Sequence, residues 1–71
     1  MSDQVQRTRG VVDCFDEHQG LGQLRLDDGR LVDFHCIGIA DGSRTIVVGT
    51  QVSFRWLPKL GRYEATDIVA L

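Results

Sequence analysis

Gln19-Gly20-Leu21-Gly22-Gln23-Leu24 is the stretch on which the fold turns. Two glycines flank one apolar side chain at the start of an alternating segment. Glycine weakens a strand interior, so it marks a bend, a bulge or a close approach by another backbone or a ligand. Upstream lies the apolar run Val11-Val12-Asp13-Cys14-Phe15. Downstream come Asp28-Gly29 and a second run, Leu31-Val32-Asp33-Phe34-His35-Cys36.

Working outward, short alternating runs recur between turn signals, which predicts a small all-β barrel or sandwich. The first strand spans about Arg9 to Phe15, and Asp16-Glu17-His18-Gln19-Gly20 is a polar turn. The second runs from Leu21 to about Leu26. Leu24 and Leu26 share one face, while Leu21, Gln23 and Arg25 share the other. Asp28-Gly29 between two alternating runs predicts a hairpin with a type I′ turn, which needs positive φ at both central residues. The third strand spans Leu31 to about His35, with Val32 and Phe34 pointing in.

Cys36 to Thr50 is a long connection with one helical or 3₁₀ turn near Ile37–Ala40. Ile37, Ile39, Ile46 and Val47 are its candidates for tucking under the sheet. The fourth strand spans Gln51 to about Leu57, with Val52, Phe54 and Trp56 in phase. That phase assigns Trp56 to core or barrel-end packing rather than to a stacking platform. Pro58 ends the strand, because proline cannot donate to a ladder. Lys59-Leu60-Gly61-Arg62 is a loop, and the fifth strand runs from Tyr63 to about Val69. Its inward candidates, Ala65 and Ile68, differ in parity, which implies a bulge or bend.

Seventy-one residues with 42% hydrophobic and 25% charged make one small globular domain, not a disordered chain. The expected organisation is a flexible segment over residues 1–8, with Met1-Ser2-Asp3-Gln4 polar and frayed, and a barrel over 9–71. Net charge is −2, whereas a dedicated phosphate-backbone binder is usually basic. No apolar run is long enough to span a bilayer and no signal-peptide pattern is present. The two cysteines, Cys14 and Cys36, make no disulfide framework, so the expectation is a cytoplasmic protein with reduced thiols.

A series of motifs then falls in one order. It reads Gly10-x-Val12-x-x-Phe15-Asp16, Gly20-Leu21-Gly22, Asp28-Gly29, Val32-x-Phe34-His35, Gly42-x-Arg44-Thr45-Ile46, Gly49-x-Gln51-Val52-Ser53-Phe54 and Ala65-x-Asp67-Ile68. In this order and spacing the chain resembles bacterial cold-shock proteins over nearly its whole length. The resemblance implies a five-stranded antiparallel Greek-key barrel of the OB type that binds single-stranded RNA or DNA. It also implies a binding face on the second and third strands, where exposed aromatics stack bases and lysines assist.

Against that pattern this chain departs at the binding face and conforms in the core. The first-strand tryptophan is Cys14 and the lysine before it is Asp13. The lysine of the glycine motif is Gln19, and its two aromatics are Leu21 and Gln23. The third-strand aromatics are Asp33 and Cys36, and the loop aromatic is Ser43. The resemblance places Cys14 and Cys36 on one sheet face. Of the usual stacking set only His35 remains. Six lost stacking side chains at roughly 1 kcal/mol each amount to about four powers of ten in affinity.

The remaining candidates for nucleic-acid contact are His35, Arg25, Leu21 and Gln23, with Lys59, Arg62 and Tyr63 at an edge. Arginine suits the role because its planar fork grips phosphate and its π-face stacks. The alternative for His35 is a surface histidine bonded to Asp33. The alternative for the scattered charges is plain solvation. Cys14, Cys36, His18 and His35 lack the close pairs of a zinc site, so no metal or cofactor is implied. Gly20-Leu21-Gly22 lacks the third glycine and helix of a dinucleotide site, and no catalytic constellation occurs, so an enzyme is not expected. Two readings follow. One is a weak, non-sequence-specific binder of single-stranded nucleic acid. The other is a protein-interaction or regulatory module, homodimeric or with a foreign partner, on a mildly apolar and acidic face.

Overall fold

Val12, Leu24, Leu26, Val32, Phe34, Val52, Phe54, Ala65 and Ile68 lie buried in one cluster with Cys36 and Ile39. The computed structural model describes residues 7–71 and builds this cluster inside a closed, OB-fold-like barrel of five strands. They are β1 (Thr8–Asp16), β2 (Leu21–Arg25), β3 (Leu31–His35), β4 (Gln51–Lys59) and β5 (Arg62–Ala70), in the spatial order β1-β2-β3-β5-β4. A 3₁₀ turn, Cys36–Gly38, follows β3. Residues 1–6, most of the segment expected to be flexible, lie outside the described residues. No helix among the described residues is long and apolar enough to cross a membrane.

Antiparallel strands were expected throughout, but the barrel is mixed. β3 and β5 run parallel where Phe34 meets Ala65, and the other four seams are antiparallel. Strand count is the reason. Alternating directions cannot close a ring of odd number, so one seam has to be parallel.

The glycine motif is explained by close approach. Gly22 is the register partner of Phe15 on one side and Phe34 on the other. The two rings stack over it with centroids 5.8 Å apart and planes 8° apart. Gly20 is different: its φ is +68°, and its carbonyl accepts the Cys36 N–H at 2.7 Å. That bond ties the β1–β2 turn to the end of β3.

Two bulges re-aim side chains. In β1 the pairing slips between Val12 and Cys14, so Asp13 is the extra residue. In β5 the pairing passes from Ser53↔Val69 to Arg55↔Thr66, so Asp67 and Ile68 together oppose Phe54. Asp67 is the only non-glycine described residue at positive φ, +52°. This is the bulge that the mismatch of Ala65 and Ile68 implied.

Arg7 fills that bulge. Its guanidinium donates to Ser53 Oγ at 2.9 Å, Asp67 Oδ2 at 2.7 Å and the Ser53 carbonyl at 3.1 Å. It also donates to the Asp67 carbonyl. Hydrogen bonds to a charged group contribute about 1.5–3 kcal/mol together with their partner's desolvation. Arg7→Ala is expected to lower Tm by about 6–24 °C, since roughly 1 kcal/mol moves a domain of this size by about 4–8 °C. Arg7→Lys recovers little, because a point charge cannot span both residues. Thermal melts check this, and an unchanged Tm for Arg7→Ala would refute the lock.

Three local expectations are corrected. The β2–β3 hairpin is not type I′: Asp27-Asp28-Gly29 forms a three-residue loop in which Gly29 alone, at φ +89°, is left-handed. The Leu26 N–H bonds to the Arg30 carbonyl at 2.9 Å and closes it. Pro58 does not end β4, which continues to Lys59 and turns tightly through Leu60-Gly61 into Arg62. In a two-residue hairpin the flanking pair Lys59↔Arg62 is the bonded one. Pro58↔Tyr63 is then a non-bonded pair, where a missing N–H takes no bond from the β5 ladder. Ile39 is buried and Ile46 packs against the core, but Ile37 is 85% exposed and Val47 76%. The 3₁₀ turn puts Cys36 inside and Ile37 outside, and Val47 opens the turn closed by the Thr50 N–H.

Candidate nucleic-acid interface

Period-two alternation sends Leu21 and Gln23 of β2 and Asp33 and His35 of β3 to the outer face of the barrel. Leu21 is paired in register with His35, and Gln23 with Asp33. The β4–β5 hairpin stands alongside as a wall. Its outer face carries Leu57, Lys59, Arg62, Glu64 and Thr66. Wall and sheet enclose one cleft, whose two lobes share Leu21, Arg62 and Glu64.

Five of the seven candidate residues therefore come together: Leu21, Gln23, His35, Lys59 and Arg62. Tyr63 and Arg25 do not join them. Tyr63 sits between Arg62 and Glu64 in β5, so it faces the other side of the hairpin. Arg25 lies on β2 but its Nη1 is held 2.5 Å from Asp13 Oδ1, the carboxylate that the β1 bulge turns toward it.

Polar contacts already organise the cleft. Gln23 Nε2 donates to Asp33 Oδ1 at 3.0 Å. His35 is not bonded to Asp33; its Nδ1 accepts the Ile37 N–H at 3.2 Å and caps the 3₁₀ turn. The neutral ring therefore carries its proton on Nε2 and can offer it to a ligand. Arg62 Nη2 lies 2.7 Å from Glu64 Oε2, and Lys59 Nζ lies 3.9 Å from Glu64 Oε1. Glu64 thus offsets half of the wall's positive charge, and it was missed in the sequence. Its only signal was its alternation with Tyr63.

The cysteines do not share a face. Cys36 is buried and Cys14 is exposed at the rim of the cleft, where its thiol donates to Gln23 Oε1 at 3.8 Å. A Cβ on Gly20 would come within 2.8 Å of Cys36 Sγ, so the thiol fills space beneath the turn.

On the opposite side of the hairpin stands an exposed aromatic cluster. Trp56 is 39% exposed and Tyr63 is 62% exposed. Their rings meet at 83° with centroids 6.1 Å apart, and Trp56 meets the buried Phe54 at 72° and 5.1 Å. The expectation of core or barrel-end packing is corrected: Trp56 touches the buried Phe54 but lies outside the core cluster and keeps much of its surface in solvent, because β4 runs past its last pair with β1 at Phe54. Arg30 forms the third side of this corner. The Arg30 backbone N–H, and then its guanidinium, hold the Asp28 carboxyl below the usual carboxylate range. No protein-family model matches the chain, and a search of curated proteins finds no significant match.

Proposed function

We propose that the barrel binds single-stranded RNA or DNA weakly and with little sequence preference, in the cleft between the β2–β3 face and the β4–β5 hairpin. The observation that carries this reading is the convergence of Leu21, Gln23, His35, Lys59 and Arg62 on one cleft. Lys59 and Arg62 supply phosphate contacts, His35 supplies a donor and a small π-face, and Leu21 is an apolar floor beneath a base. The core likeness to cold-shock domains supports the same reading by analogy.

Two wall cations give a small electrostatic contribution. With about −0.7 per phosphate for single strands, log K should fall against log salt with a slope between about −0.7 and −1.4, the lower value applying where Glu64 stays paired. Dissociation constants in the non-specific range, about 10⁻⁴–10⁻⁶ M, are expected. Reversing both charges, Lys59→Glu with Arg62→Glu, should weaken binding about tenfold or more and flatten the salt slope. Labelled-oligonucleotide anisotropy at two salt concentrations, with amide shifts near Leu21 and His35, tests this. No shifts at millimolar oligonucleotide would end the reading.

One observation favours a protein partner instead: Leu21, Leu57 and Ile37 give the same cleft an apolar lining. A homodimer formed through it would appear in light scattering as a doubled mass at micromolar protein.

A further inference from the structure

We propose that the corner made by Trp56, Tyr63 and Arg30 is a stacking site for one unpaired nucleobase of the bound strand. The inference rests on the nucleic-acid reading above and moves its base contact from the β2–β3 face to the other side of the hairpin.

Three features build the site. The rings are perpendicular, at 83° and 6.1 Å, so a flat ligand lying on one ring meets the edge of the other. Ring edges carry the positive end of the quadrupole and complement the carbonyl and ring-nitrogen acceptors of a base. The corner is also rigid. Trp56 Nε1 donates to Thr8 Oγ1 at 2.9 Å, and its ring is fixed against Phe54. A ligand stacking there freezes little side-chain motion. Finally, Arg30 closes the third side; its Nε is paired with Asp28 Oδ2 at 2.7 Å, which holds the guanidinium in place and leaves its flat face to stack on a base.

Alternation on one hairpin argues for a nucleic acid as occupant. Lys59 and Arg62 point to the cleft face, and Trp56 and Tyr63 point to the other. Cations and π-faces thus alternate along a projecting ribbon, which is what a strand crossing it would need. Phosphates meet the cations on one side and a base reaches the rings on the other. A peptide would use the rings but has no use for the flanking cations unless it is acidic.

Trp56 is the only tryptophan in the chain, so its emission reports this corner alone. The probes are an octamer of deoxyadenylate and an abasic phosphodiester chain of equal length, both end-labelled for anisotropy. The octamer should quench Trp56 emission in parallel with its anisotropy rise. The abasic chain should bind about tenfold more weakly and leave the emission unchanged. Tyr63→Leu, at an exposed position, should stay folded with a melting temperature only a few degrees lower, reduce octamer affinity about 5–10-fold and leave abasic affinity unaltered. If anisotropy reports octamer binding while Trp56 emission is unmoved and Tyr63→Leu binds like wild type, the corner proposal fails and the cleft reading stands. If neither probe binds at millimolar concentration, both fail. Quenching by a proline-rich peptide, but not by the octamer, would make the corner a peptide site and overturn the proposal.

Discussion

Gly22→Ala is expected to lower the melting temperature by about 10–20 °C. A Cβ on Gly22 would lie 2.6 Å from the Cys14 carbonyl oxygen and 2.6 Å from Phe34 Cζ. The carbonyl belongs to the neighbouring strand and cannot swing aside as a side chain would. Phe34 is 1% exposed and already stacked on Phe15, so its ring has no open space to enter. Either the β1–β2 seam opens or the ring leaves its rotamer. Overpacking of this kind costs about 1–3 kcal/mol, and more where backbone has to move. The lower chain entropy of alanine in the unfolded state returns roughly 0.4–1 kcal/mol. A net loss near 2–3 kcal/mol converts to the stated shift at about 4–8 °C per kcal/mol. Gly29→Asn is the control: its φ is +89° but nothing lies within 4 Å of the added Cβ, and asparagine tolerates left-handed backbone. It should melt within a few degrees of wild type. A Gly22→Ala barrel as stable as the Gly29→Asn one would mean that the rings do not close over this glycine.

That glycine also shows what was legible in the residues. Spacing in Gly20-Leu21-Gly22 marked a close approach, but not the two rings that make it, since Phe15 and Phe34 reach Gly22 only after β1 and β3 have paired with β2. Inward positions Leu24, Leu26, Val32, Phe34, Val52 and Phe54 followed from alternation, because a one-residue slip would expose them all. The parity break between Ala65 and Ile68 was visible as well. Its location was not: Asp67 is held left-handed by Arg7, 60 positions away in the chain. Pro58 was misread for a related reason. Whether a strand needs a given N–H depends on which edge it faces, and loop length decides that. In the candidate site, Leu21, Gln23 and His35 shared a face by parity alone. Glu64 and the exposure of Trp56 depended on how far the hairpin projects. β4 and β5 have nine residues each, whereas β2 and β3 have five. The excess carries Lys59, Arg62 and Tyr63 past the barrel, where they can meet a ligand.

Phe54 joins that projecting hairpin to the core, so Phe54→Ala is expected to have the largest effect of any core truncation on the aromatic corner. Its side chain is fully buried and lies opposite the β5 bulge, where Asp67 and Ile68 crowd one register position. Truncating a buried phenylalanine costs about 3–5 kcal/mol. A domain of this length has a total stability of roughly 4–10 kcal/mol, so the variant should be largely unfolded at 37 °C or have a strongly reduced midpoint in urea. Phe54→Leu separates packing from the corner. Leucine fills most of the volume, and such hydrophobic exchanges usually cost under about 1.5 kcal/mol, leaving a folded barrel. It cannot replace the edge-to-face contact that Phe54 makes with Trp56 at 5.1 Å, a contact worth about 0.5–1.5 kcal/mol. The folded Phe54→Leu protein should therefore show red-shifted Trp56 emission and weaker near-ultraviolet circular dichroism, although no surface residue has changed. Its octamer affinity should fall several-fold, while the abasic chain binds as before. Phe54→Leu with wild-type emission and wild-type octamer affinity would show that the corner is fixed by Thr8 and Tyr63 alone, and that the core does not position the ligand surface.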